Sequence, residues 1–149
     1  MTRLLLSCLA LLLTGCSSSP DSEVRQLVKR FLEAQQLNEV REIVFIPPGF
    51  NQAQADHITG NALVLLEALD GRASIDHIET RGRWARIELS GAKTGPFALH
   101  ALKLEEDWRI FWDPLGTLIW GKQEWHKQLS ESDWEDYRSL KKAAENPAE

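Results

Sequence analysis

The sequence predicts an α+β fold, and three observations carry that prediction. Val24, Leu27, Val28, Phe31 and Leu32 recur at i, i+3, i+4, i+7 and i+8, one apolar stripe of a helix. Ile58, Ala62, Leu65, Leu66 and Leu69 make a second stripe of the same period. After Gly71 the period changes to two: Ala85, Ile87 and Leu89 alternate with Trp84, Arg86 and Glu88. Helices followed by an antiparallel meander form an α+β plan. The expected architecture is a set of N-terminal helices packed on a curved antiparallel sheet of four to five strands, with a C-terminal helix.

Taken in order, the chain begins with Arg3 and an apolar stretch, Leu4 to Leu13, broken only by Ser7 and Cys8. A membrane-spanning helix needs about 20 apolar residues; this stretch has the length and flanks of a secretory signal. Where a small-x-small cleavage site would stand, the sequence reads Leu13-Thr14-Gly15-Cys16, followed by serines. This resembles the lipobox of bacterial lipoprotein precursors. The resemblance implies cleavage before Cys16, a thioether-linked diacylglycerol on its sulfur, and a fatty chain such as palmitate on the freed amine. Two or more chains anchor a protein stably where one does not. In enteric-type bacteria Ser17, rather than Asp, resembles the default of export to the outer membrane, with the inner membrane as second choice. The segments expected are a lipoprotein signal peptide over 1–15, a lipidated Cys16 with a short tether over 16–22, one α+β domain with a C-terminal helical extension over 23–142, and a flexible tail over 143–149.

Removing the first 15 of 149 residues takes away one basic residue, Arg3, of 17, and none of the 22 acidic ones, so the net charge falls from −5 to −6. An acidic chain lacks the basic stripe that nucleic-acid binders use, so no nucleic-acid partner is expected. The only cysteines are Cys8 and Cys16. One leaves with the signal and the other is lipidated, so disulfides, thiolate catalysis and cysteine metal sites drop out. The expected partners are the membrane, through the anchor, and an envelope protein or small ligand. No cofactor is expected.

Helix one takes its cap from Ser19-Pro20 or Ser22-Glu23. Asn38 to Ile46 reads as a short second helix or an extended segment, ended by Pro47-Pro48-Gly49. A long helix follows from about Gln52 to Asp70, kinked at Gly60-Asn61 and stopped by Gly71. Strands are expected over Ser74 to Arg81, Trp84 to Leu89, Phe97 to Glu105 and Trp108 to Asp113. In the third, apolar residues change face between Ala101 and Leu102, which suggests a bulge or a bend. Asp113-Pro114-Leu115-Gly116 has type I turn chemistry, and Leu118 to Trp120 reads as one more short strand. The last helix starts near Ser132-Asp133-Trp134-Glu135, a capping-box pattern.

The stretch Ala98 to Asp113, a long strand, an acidic turn and then Trp108-Arg109-Ile110, resembles the end of small lipoprotein domains in the nuclear transport factor-like superfamily, and Val24 to Gln36 resembles their first helix. That resemblance implies a cone-shaped fold in which a curved sheet wraps a long helix and leaves a pocket at the open end. Members include ketosteroid-isomerase-like enzymes and non-catalytic binding modules, so fold does not choose between them.

Candidate chemistry is sparse. His57, His77, His100 and His126 form no HxxxH or HExxH pattern, so no metal site is expected; His77 and His100 are on different strands with room to be neighbours. An isomerase-type site needs a carboxylate in an apolar pocket and an oxyanion donor; Asp76 and Asp113 are the available bases. No spacing fixes a pairing, so no catalytic residue is assigned. Six Trp residues lie in the second half. Trp108, Ile110 and Trp112 share a strand face. The candidate pocket or partner surface consists of Trp112, His77, Trp120, Trp125 and Trp134, tryptophan being common at contact hot spots. Arg81, Arg83 and Arg86 cluster at a hairpin tip, as solvated turn residues or as a headgroup contact. The function expected is that of a non-catalytic binding or interaction module in the bacterial envelope, facing the periplasm. The alternative is a small pocket enzyme of isomerase or hydrolase type.

Overall fold

The computed structural model describes residues 19–91, 93–112 and 127–145. The signal segment and Cys16, and the segment 113–126 with Asp113, the expected turn and short strand, Trp120, Trp125 and His126, lie outside the described residues.

Among the described residues, four helices and four strands follow in the order α1 (Pro20–Glu33), α2 (Leu37–Ile43), α3 (Gln52–Leu69), β1 (Ala73–Arg81), β2 (Trp84–Gly91), β3 (Gly95–Leu104), β4 (Asp107–Phe111) and α4 (Glu131–Glu145). The strands form one antiparallel meander, β1-β2-β3-β4. The α+β plan holds, with helices before the sheet and one after it. None of the described helices is long and apolar enough to cross a membrane.

The helix boundaries have local causes. Ser19 caps α1, its hydroxyl accepting from the Ser22 N–H at 3.3 Å, and Pro20 occupies the first turn, where its missing N–H costs nothing. The helix thus takes in the last three residues of the expected tether. Asn51 and Gln54 cap α3 reciprocally, at 3.0 and 2.9 Å. That helix runs unbroken through Gly60-Asn61. It ends where Asp70 (φ 51°) and Gly71 (φ 63°) turn left-handed and send the chain into β1.

Both readings of Asn38 to Ile46 contain part of the outcome. Leu37–Ile43 is helical; Val44 then leaves extended, bridges Ile110 in parallel, and the Phe45 N–H donates to the Ile110 carbonyl at 2.8 Å. This short bridge covers part of the β4 edge.

The bulge lies in β1, not in β3. Register skips one residue between Ile75↔Leu89 and His77↔Glu88, leaving Asp76 extra, whereas β3 pairs with β2 without interruption from Leu102 to Gly95. The apolar residues on both sides of β3 have another cause: the sheet is covered on both faces. Ile78, Ile87, Leu99, Ala101, Trp108 and Ile110 share the face that α1 covers with Val24, Leu27, Val28 and Phe31. Trp84, His100, Leu102 and Phe111 share the other, over which α4 lays Trp134, Tyr137 and Leu140. Strands buried on both faces lose the in–out alternation, and Ala101 and Leu102 are both fully buried.

The capping box of α4 is Ser130 with Asp133, two residues earlier than the sequence pattern suggests. The Ser130 hydroxyl accepts from the Asp133 N–H at 3.1 Å, and the Asp133 carboxylate accepts from the Ser130 N–H and hydroxyl at 2.8 Å each. Ser132 also has an acid, Glu135, at the capping-box spacing, but the helix begins at Glu131. Burial works to raise the Asp133 carboxyl; the two hydrogen bonds from Ser130 and the Arg83 guanidinium at 3.9 Å outweigh it and hold the group below the usual carboxylate range. A lowered carboxylate stabilises the fold above its unfolded pKa and loses that contribution as pH falls through the folded value. Ser130→Ala is therefore expected to cost about 1 kcal/mol near neutral pH. In urea titrations the difference from wild type should shrink as pH falls below the ordinary carboxylate range, through the lowered folded value at which Asp133 takes up its proton. A pH-independent difference would show that the carboxylate plays no part.

Candidate functional site

A groove of about 1130 Å³ is bounded by α1, α3 and the start of β1. Its geometry follows from the helix stripes. The buried stripe of α1 packs on the sheet, leaving the neighbouring positions Arg25, Gln26, Lys29 and Leu32 along one wall. Leu63, Leu66 and Glu67 of α3 form the facing wall. The left-handed turn at Asp70-Gly71 closes one corner, and Ala73 and Ile75 continue from it. Leu32, Leu63 and Ile75 are half-buried and Leu66 is buried, so the floor is aliphatic while the rims are charged.

The residues singled out from the sequence are not brought together here. Trp112 is a core residue: it sits on the inner face with Trp108 and Ile110, 5% exposed, its ring 6.5 Å from that of Phe31. A tryptophan so placed offers no partner surface. Trp134 is half-buried, its ring 5.6 Å from Trp84 and 6.0 Å from Tyr137, so it helps dock α4. His77 is exposed at the β1 bulge and outside the groove. It is not a neighbour of His100, because β2 runs between their strands and their partners on it, Glu88 and Arg86, are two residues apart. His100 instead packs edge-on against Tyr137, ring centroids 5.2 Å apart.

Among the described residues no group of three or more His, Cys, Asp or Glu side chains is placed to hold a metal ion. Asp76 is exposed and accepts hydrogen bonds from the hydroxyls of Ser74, at 3.1 Å, and Ser90. It lacks the apolar surroundings that an isomerase-type base needs. The arginines at the hairpin tip are engaged within the fold: Arg81 pairs with Glu79 at 2.9 Å, Arg83 donates to the Lys103 carbonyl at 2.9 Å, and Arg86 pairs with Glu88.

A second, smaller cleft is organised by Glu23. Its carboxylate accepts from the Trp108 indole N–H at 3.0 Å and the Lys103 ammonium at 3.2 Å, and that ammonium lies 5.8 Å from the Trp108 ring centre. Glu106, Asp107 and Arg109 of the β3–β4 hairpin line the same cleft. These contacts join the first turn of α1 to that hairpin. Glu23→Ala is expected to cost about 1–3 kcal/mol, because it takes the charged partner from the part-buried indole N–H of Trp108. Chemical denaturation checks this; a loss below about 0.5 kcal/mol would mean that water replaces the carboxylate without penalty.

The groove residues Arg25, Lys29, Leu63 and Glu67 were missed because nothing in their spacing differs from an ordinary solvated helix face. One signal was present. Leu32 was counted in the α1 stripe, yet the structure leaves it half-buried at the groove; a stripe wider than one sheet contact needs marks where a second surface begins.

No family model matches the chain, and no curated protein matches it. Among solved structures, the chain is similar to one described as "Crystal structure of a de novo designed protein with curved beta-sheet", at 16% identity and a TM-score of 0.42, over 75% of this chain and 100% of that one.

Proposed function

We propose that this protein is a lipid-anchored envelope lipoprotein, facing the periplasm from the outer membrane, whose domain is a non-catalytic binding module. The groove between α1, α3 and β1 carries the reading. It is roomy, aliphatic at its floor and charged at its rims, the make-up of a ligand site. The lipobox at Leu13 to Cys16 supports the address, and the helix-then-sheet order supports the likeness to nuclear transport factor-like lipoprotein domains. The tryptophan-rich C-terminal surface loses weight as a contact site, since Trp112 and Trp134 are occupied in packing.

Site-specific photocrosslinking in the native host tests the proposal. A photoreactive residue at Gln26, in the groove, should capture a discrete adduct. The same residue at Val64, exposed on α3 and outside the groove, should not. Equal capture at both positions, or none at Gln26, would reject the groove as the binding site.

A further inference from the structure

Building on the reading of the chain as a tethered binding module, we infer that the groove takes an acyl chain of an anionic membrane lipid, with Arg25 and Lys29 holding the headgroup. Leu32, Leu63, Leu66 and Ile75 converge from three elements to form the aliphatic floor. From Ser22 to Glu33 the α1 wall runs for roughly 17 Å, long enough to bury most of a chain lengthwise.

The charges give the occupant a direction. Arg25 and Lys29 lie one helical turn apart on the same wall. Arg25 has no hydrogen bond or ion pair among the described residues. Lys29 pairs with Glu33 at 3.9 Å, with both side chains at least 65% exposed, and such a pair holds little. Both cations are therefore available to a phosphate, and a guanidinium binds one through two parallel N–H bonds. Glu33 in the last turn of α1, and Glu67 and Asp70 on the other wall, repel a headgroup placed among them. The headgroup thus belongs beside Arg25, in the N-terminal half of α1, with Lys29 one turn further on.

That half is also the end nearest the proposed anchor. Cys16 precedes Pro20, where α1 begins, by four residues, about 14 Å at full extension, and five helical residues carry the chain on to Arg25, about 8 Å more, so that Arg25 lies no more than about 22 Å from Cys16. The basic end of the groove is held within that distance of the bilayer, which makes a bilayer lipid the occupant.

Native mass spectrometry of the chain, purified from its host and offered phosphatidylglycerol or phosphatidylcholine in mixed micelles, tests this. Phosphatidylglycerol is expected to be retained non-covalently at least tenfold better than phosphatidylcholine. The double variant Arg25→Glu/Lys29→Glu should lower that retention at least tenfold, and Leu63→Trp, which fills the groove, should lower retention of both lipids. If Leu63→Trp melts below wild type, the exposed charge-reversal pair decides alone. Equal retention of the two lipids, retention unchanged in the charge-reversed protein, or a peptide in place of the lipid would overturn the inference. The same spectra report the covalent mass at residue 16, so the two readings fail separately. A bare thiol with charge-dependent phosphatidylglycerol adducts keeps the lipid site and removes the tether. An acylated Cys16 with no such adducts does the reverse.

Discussion

Trp84→Ala is expected to destabilise the protein by about 3–5 kcal/mol, the usual cost of truncating a buried aromatic side chain. Trp84 is fully buried and stands at the centre of the aromatic cluster between sheet and α4. Its ring lies 5.0 Å from Phe111 edge-on, 5.6 Å from Trp134 and 4.5 Å from Tyr137, and such pairs add to the area they bury. Two further contacts depend on the same docking. The Asp136 carboxylate of α4 lies over Gly82, whose φ of 53° suits glycine and where a Cβ would collide with it; Arg83 meets Asp133. Against a total stability of 5–15 kcal/mol for a typical domain, the loss is large.

The effect of Trp84→Ala should be uneven. Amides of α4 are expected to exchange with solvent much faster in the variant, and those of α1, on the opposite face, less so. Trp84→Phe should cost far less than the alanine change. It keeps a ring in the cluster and removes an indole N–H that is buried without a hydrogen-bond partner among the described residues. Urea denaturation with hydrogen exchange reads all three. A loss below about 1 kcal/mol for the alanine variant, or equal exchange in α1 and α4, would mean that the cluster does not hold the last helix.

The sequence made the helices and the period-two strands legible because each writes its burial into a repeat: Val24, Leu27, Val28 and Phe31 at 3.6, Ala85, Ile87 and Leu89 at 2. What it hid was the second cover of the sheet. Trp84, Leu102 and Phe111 look like breaks in alternation until α4 is seen to lie over them; the supposed bulge in β3 came from reading a doubly covered strand as a singly covered one. The true bulge, at Asp76, left no mark, since a polar residue at an exposed edge looks the same in or out of register. The candidate site was harder still. Tryptophan abundance drew attention to Trp112 and Trp134, but large rings serve packing as readily as contact. The groove arises from the angle between α1 and α3, a relation between elements that no single stretch encodes.

Replacing Cys16 by alanine is expected to abolish lipid attachment altogether. The physical reason is that acylation and cleavage both require the sulfur: without a thiolate there is no thioether, and the precursor is not processed at the lipobox. After growth with an alkyne-bearing fatty acid, the wild-type chain should carry label and begin at residue 16. Cys16→Ala should carry none and keep residues 1–15. Cys8→Ala, which alters the other cysteine but leaves the lipobox intact, should be labelled like wild type. The consequence for position follows from chain length. Helix α1 begins at Pro20, four residues after Cys16, so the proposed anchor point and the first turn of the domain are separated by about 14 Å at most. Two or more acyl chains make that link effectively permanent, while a single chain would let the protein exchange. Ser17→Asp, in turn, should leave labelling unchanged and move the protein from outer- to inner-membrane fractions. If Cys16→Ala kept its label, or the wild-type chain were found with a free thiol or a start elsewhere, the groove would lose its membrane and its ligand would have to be sought among soluble molecules.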